Sequence, residues 1–233
     1  MLKHPGVLLA GLLFVSFAAA AEKSVPPTTS WEVGKNYFLI DPPQPTASGD
    51  KIEVLEVFSY ACPHCAHFQP YAEQLKQSLP AYASYAYMPA VFNAEWEPSA
   101  RAFYTAQSLG VLDQTHQALF DALHRDHIPL RTIDDLAGFY AQHGVDKAKF
   151  LAESASFEVE SKLSRANEIV KKDGIDGTPS VVVNGKYRVT NASAGGYPQL
   201  LELVDWLVKK EHASKGPTQH TTPVQPAKHA KTK

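Results

Sequence analysis

The only two cysteines of this chain, Cys62 and Cys65, stand two residues apart with Pro63 and His64 between them. Ahead of them runs Val54-Leu55-Glu56-Val57-Phe58, an apolar segment that reads as a buried strand. Behind them Phe68, Tyr71, Ala72, Leu75 and Leu79 recur at the spacing of one helix face. A strand that runs into a helix through a thiol pair restricts the architecture to an α/β unit with the pair at the helix start. That position sets free backbone N–H groups and the positive end of the helix dipole against the first thiol, which favours its thiolate. Two thiols at this spacing can close into a disulfide and reopen, so the motif points to redox chemistry.

Other uses of the pair fit less well. With 233 residues, 44% of them hydrophobic, the chain can build a core without a staple. A disulfide closing so small a loop adds little stability in any case. A structural zinc site needs four ligands, and there is no second cysteine pair; His64 and His67 lie awkwardly for one on a helix. Haem attachment needs a histidine after the second cysteine, where this chain has Ala66. Cys62 is therefore expected to be the attacked sulfur, its pKa lowered by the helix start and by positive charge on His64. Cys65, one turn further in, is expected to be the more buried. A substrate thiolate would attack Cys62, Cys65 would leave, and a second substrate thiol would release Cys62 again.

The start of the chain supports an oxidising setting. Lys3 and His4 precede the apolar run Val7 to Val15, and Ala18-Ala19-Ala20-Ala21 follows. This is the pattern of a secretory signal over residues 1–20, with cleavage after Ala19, Ala20 or Ala21; an uncleaved anchor is the alternative, for which the apolar run is short. Export would allow a disulfide to persist. All 24 acids but only 17 of the 22 bases fall between residues 21 and 212, a net charge of −7 there, which gives no nucleic-acid footprint. Residues 213–233, with Pro217, Pro223, Pro226, His220 and His229, read as a disordered basic, Pro-rich tail.

Between these ends the pattern divides in three. Residues 21–94 hold strands at Tyr37–Ile40, Lys51–Phe58 and Tyr82–Met88 and the helix from Cys62 to Leu79. Residues 95–172 are helical throughout, with start signals at Pro98, Asp113, Thr132, Asp146 and Ser156. Residues 173–212 return to strands at Ser180–Val183 and Lys186–Val189, joined by an Asn184-Gly185 hairpin, before a last helix through Leu200 to Val208. A helical insertion thus interrupts an α/β domain. It is expected to cover one side of the thiol site and to help form a substrate groove.

Two further residues carry chemical meaning. Pro179 stands directly before a Val-Val-Val strand, where it lacks a ladder donor. A cis bond from Thr178 would turn the backbone and present Thr178 to an incoming peptide. Glu56 interrupts the otherwise apolar run Val54 to Phe58. It is either an outward-facing residue or a buried acid able to exchange the Cys65 proton through water.

Glu56-Val57-Phe58-Ser59-Tyr60-Ala61-Cys62-Pro63-His64-Cys65, Gly177 to Gly185 and Gly34-Lys35-Asn36-Tyr37 together resemble the DsbA family of periplasmic thiol:disulfide interchange proteins. The resemblance implies a thioredoxin fold with an inserted α-helical domain, in a periplasmic monomer that introduces disulfides into exported proteins bearing free thiols. Pro63-His64 resembles the oxidase form of the motif; thioredoxin-type reductases carry Gly-Pro there. It further implies Cys62 as nucleophile, Cys65 as its buried partner, Thr178-Pro179 as the substrate-facing loop and Glu56 as the buried acid. No metal or organic cofactor is implied. The implied reoxidant is DsbB, a membrane protein that passes electrons to quinone. Two departures stand out. The best-known members carry valine where this chain has Thr178. Some members pair the acid with a lysine on the following strand, where this chain has none and Tyr87 is expected to stand. A reductase or isomerase, and a peptide-binding chaperone on the same scaffold, remain the competing readings.

Overall fold

A computed structural model describes residues 30–215. The signal segment and most of the basic tail lie outside the described residues. Within them the order is β1 (Phe38–Leu39), β2 (Ile52–Phe58), α1 (Pro63–Ser78), β3 (Ala83–Pro89), α2 (Glu97–Ser108), α3 (Leu112–His124), α4 (Ile133–Gln142), α5 (Lys147–Ser154) and α6 (Phe157–Lys172). Then follow β4 (Ser180–Val183), β5 (Tyr187–Thr190), α7 (Asn191–Ala194) and α8 (Tyr197–Ser214). This is the expected α/β unit with a helical insertion. The differences are local: the first strand shrinks to two residues, and the four-residue α7 was not foreseen.

Local chemistry accounts for the element starts. Thr132 and Asp135 close a reciprocal capping box on α4, and Asp146 and Ser156 accept from the third N–H of α5 and α6. Asn184 and Gly185 both take positive φ at the centre of a tight turn that the Lys186 N–H closes on the Val183 carbonyl at 3.0 Å. Gly185 is doubly constrained, because a Cβ there would strike the backbone of Gln44, whose N–H donates to the Gly185 carbonyl at 2.8 Å.

The five strands form one sheet in the order β1-β5-β4-β2-β3. Only β2 and β3 run parallel; the other pairings are antiparallel. Alternation along β2 sends Ile52 and Val54 to one face, against Phe68, Ala72 and Leu75 of α1 and Leu200 to Val208 of α8. The other face, with Val57, Met88 and Val182, packs against Phe103, Leu119, Phe120, Leu136 and Leu163 of the insertion. The insertion therefore shares its core with the sheet.

Phe58, at the end of β2, is fully buried where the two meet. Its ring contacts Tyr60, Tyr87, Phe103, His116 and Phe120 with centroids 5.0–6.0 Å apart. Phe58→Ala should cost about 3–5 kcal/mol. Urea unfolding should shift as one transition; two separated transitions would show that insertion and sheet are independent folding units.

Candidate active site

The thiol pair lies at the junction of β2 and α1. Cys62 is the N-cap of α1 in extended conformation and Pro63 follows at the start of the helix, where its missing N–H costs no bond. The intervening turn is tied by Cys62 N–H to Ser59 O (3.1 Å) and Ala61 N–H to Ser59 Oγ (3.1 Å). Both cysteines are reduced. Cys65 is entirely buried, and Cys62 is 6% exposed.

Their thiols are driven apart electrostatically. Burial pushes the Cys65 thiol far above its ordinary range, although the Ser59 N–H points at its sulfur at 3.5 Å. A thiol that stays protonated can donate, and donation from Cys65 is the largest influence pulling the Cys62 pKa from 9.0 down to about 5. Burial of Cys62 opposes this; Thr178 and the backbone N–H groups of Cys65 and His64 reinforce it. His64 thus contributes through its backbone N–H at the helix start.

Thr178-Pro179 is brought against the pair, joined by a cis peptide bond as anticipated. As a thiol, Cys62 donates to the Thr178 carbonyl at 3.4 Å. The Thr178 hydroxyl is buried and otherwise unpartnered, and it favours the thiolate at Cys62. A groove of about 240 Å³ runs from here, lined by His64, Gly177, Thr178, Pro179, Thr190, Asn191, Ala192 and Tyr197. No residue of the insertion lines it. The insertion instead walls a separate cleft of about 720 Å³ beside Ala61, with Trp96, His124 and Ile128 among its residues.

Glu56 faces inward and is fully buried. One carboxylate oxygen accepts from the Tyr85 hydroxyl at 2.7 Å; the other has no partner. Burial raises its pKa from 4.5 to about 7, and the Tyr85 bond moderates the rise. The sequence points to Tyr87 as the neighbour, and Tyr87 is indeed its register partner on β3. Tyr85, two residues back on the same strand face, is the one whose hydroxyl arrives. Tyr197 was also missed: from the start of α8 its hydroxyl donates to the His64 carbonyl at 3.1 Å. Among the described residues no group of three or more His, Cys, Asp or Glu side chains is arranged to hold a metal ion.

A carboxyl whose pKa rises on folding opposes folding once it must ionise. The cost is absent below about pH 4.5, grows as pH rises, and is complete above about pH 7. The oxidised protein, which lacks the Cys62 thiolate, should therefore lose stability between these limits. Glu56→Gln should flatten that loss, by up to about 3 kcal/mol at pH 8 and nothing at pH 4, in urea melts at the two pH values.

Comparison with known proteins adds an independent line. The family model for a DSBA-like thioredoxin domain matches residues 80–198. A Pseudomonas aeruginosa protein named thiol:disulfide interchange protein DsbA is 39% identical over 184 residues, covering 79% of this chain and 87% of that protein. One of the same name from Azotobacter vinelandii is 36% identical over 209 residues, covering 90% and 97%. The crystal structure of Pseudomonas aeruginosa DsbA superposes with a TM-score of 0.75 at 38% identity, over 79% of this chain and 96% of that one.

Proposed function

This chain belongs to the DsbA family of thiol:disulfide interchange proteins, and from that premise we propose how its own residues perform the exchange. It is a thiol:disulfide oxidoreductase that oxidises exported proteins. In the oxidised protein Cys62 and Cys65 are joined. A client thiolate attacks the Cys62 sulfur, the client–Cys62 bond forms, and Cys65 leaves. Cys65 cannot remain ionised in its buried position and takes a proton, which Glu56 supplies through water. A second client thiol then attacks the client sulfur of the mixed disulfide. Cys62 departs as a thiolate and the client leaves oxidised, two electrons having passed to the protein.

The observation that carries this reading is the separation of the two thiols. Cys62 is a good leaving group because its thiolate is stabilised in the folded protein. At pH 7 the depression that counts runs from about 5 to 7, on the order of 60 mV of oxidising power relative to an ordinary thiol. The Thr178 carbonyl supports client binding: once Cys62 is in a disulfide it has no thiol proton to accept, and it is free for a client N–H. The groove beside Pro179 would then take the client backbone.

Reoxidation by a DsbB-type membrane protein and a periplasmic location complete the proposal. No helix among the described residues is long and apolar enough to cross a membrane.

Equilibration with glutathione tests the direction. The oxidase reading expects a potential near the roughly −120 mV of a strongly oxidising member of this family, and a value near the −270 mV of thioredoxin would make the protein a reductase. The potential should also break slope. Below about pH 5 reduction takes up two protons and the potential falls about 59 mV per pH unit; above it, one proton and about 30 mV. Absorbance of the Cys62 thiolate near the same pH should report the break, and Cys62→Ser should abolish it. Reduced protein gains stability that is complete above about pH 9 and gone once the pH has fallen through 5.

A further inference from the structure

One residue of the active-site turn is gripped from end to end by the insertion. Tyr60 lies two positions before Cys62 and is 1% exposed. Its hydroxyl shares a 2.7 Å hydrogen bond with His116 Nδ1. Its ring packs on Phe120 with centroids 4.8 Å apart. Its backbone carbonyl accepts from His124 Nε2–H at 2.7 Å. His116, Phe120 and His124 are successive i, i+4 positions on α3, so a single stripe of one helix holds Tyr60 by hydroxyl, ring and main chain.

From this geometry we infer that α3 is a positioning element for the reaction, with His124 and His116 as its positioning residues. The inference rests on the exchange mechanism proposed above and extends it to the insertion. Tyr60 sits inside the hydrogen-bonded turn that holds both sulfurs: the Ser59 N–H is directed at Cys65, and the Ser59 carbonyl takes the Cys62 N–H. Fixing Tyr60 fixes the orientation of Ser59 on one side and of Cys62 against the first turn of α1 on the other. The stabilisation of the Cys62 thiolate needs that alignment, because donation from Cys65 and from the N–H groups of α1 weakens steeply with angle.

The composition of the stripe supports more than packing. His116 is buried among Phe58, Tyr60, Tyr87 and Phe120, and its Nε2 has no partner. Burial holds its pKa down to about 3, so the ring is neutral. A half-satisfied buried imidazole is a poorer core residue than leucine. Its one hydrogen bond is to the Tyr60 hydroxyl, and that bond gives it a purpose an apolar residue lacks. His124 likewise spends its Nε2–H on a main-chain carbonyl that no helix or sheet ladder satisfies.

The test compares His124→Leu with His124→Gln in the full chain, reading the Cys62 thiolate by absorbance and by its alkylation rate at pH 4. Glutamine keeps an N–H donor at a similar reach; leucine keeps bulk without one. The positioning role expects His124→Leu to raise the thiolate midpoint by about half a unit, which slows alkylation at pH 4 about threefold, while His124→Gln stays near the parent. A His124→Leu protein that melts lower but titrates like the parent would overturn it, making the contact a packing feature only. Should His124→Leu fail to fold, Tyr60→Phe, which removes only the His116 bond, carries the test by the same readouts. Both readouts concern a thiol, not the direction of electron flow, so they stand whether or not the protein proves to be an oxidase.

Discussion

Withdrawal of Cys65 from water is the constraint on which the site depends. A thiol in that position cannot ionise at ordinary pH, and this refusal makes it a hydrogen-bond donor. Its neighbour, at the mouth of the same helix, then becomes the acceptor and ionises about four units earlier than a free thiol. Depth sets the asymmetry, and Thr178 and the helix-start N–H groups add to it: one turn of helix takes the chain from the rim at Cys62 to the core at Cys65.

Everything around the pair serves to hold that gradient. The sheet supplies β2 as the platform, α1 supplies the helix start, and the insertion seals the far face with Phe103, Phe120 and their neighbours. Thr178-Pro179 arrives from the second half of the chain, after the whole insertion, and closes over Cys62. The thiol site is thus assembled from three sequence regions, the outer two more than 100 residues apart with the insertion between them, which is why the insertion cannot be treated as an appendage. Glu56, with one bare oxygen, is among several buried groups left partly unsatisfied, as are His116 Nε2 and the Thr178 hydroxyl.

Much of this was legible in the sequence because it is written locally. The thiol pair, the strand before it and the helix after it occupy one continuous stretch, and caps such as Thr132 and Ser156 announce helix starts within four residues. The Pro179 signal worked because proline is chemically incompatible with an ordinary ladder position. What was not legible depends on contacts between distant segments. Whether Tyr85 or Tyr87 reaches Glu56 is decided by register and rotamer together, and the sequence alone offers two equal phenols. The burial of Glu56 was likewise open, since a strand pattern does not say which of its faces is covered. Tyr197 and the α3 stripe were invisible for the same reason: nothing near them in sequence mentions the thiols. Short α7 escaped because its signature is a cap at Thr190 with hardly any helix to follow.

Glu56 looks different when protons rather than electrons are counted. Each cycle of exchange changes the charge of the site by the gain or loss of a proton at Cys65, deep below the surface. A carboxyl poised near neutrality, and held by a phenol instead of a cation, is half loaded at the pH where it is needed. It can give as readily as it can take. In the proposed exchange the site thereby carries a small internal proton store of its own, whose loading follows the acidity of the medium outside.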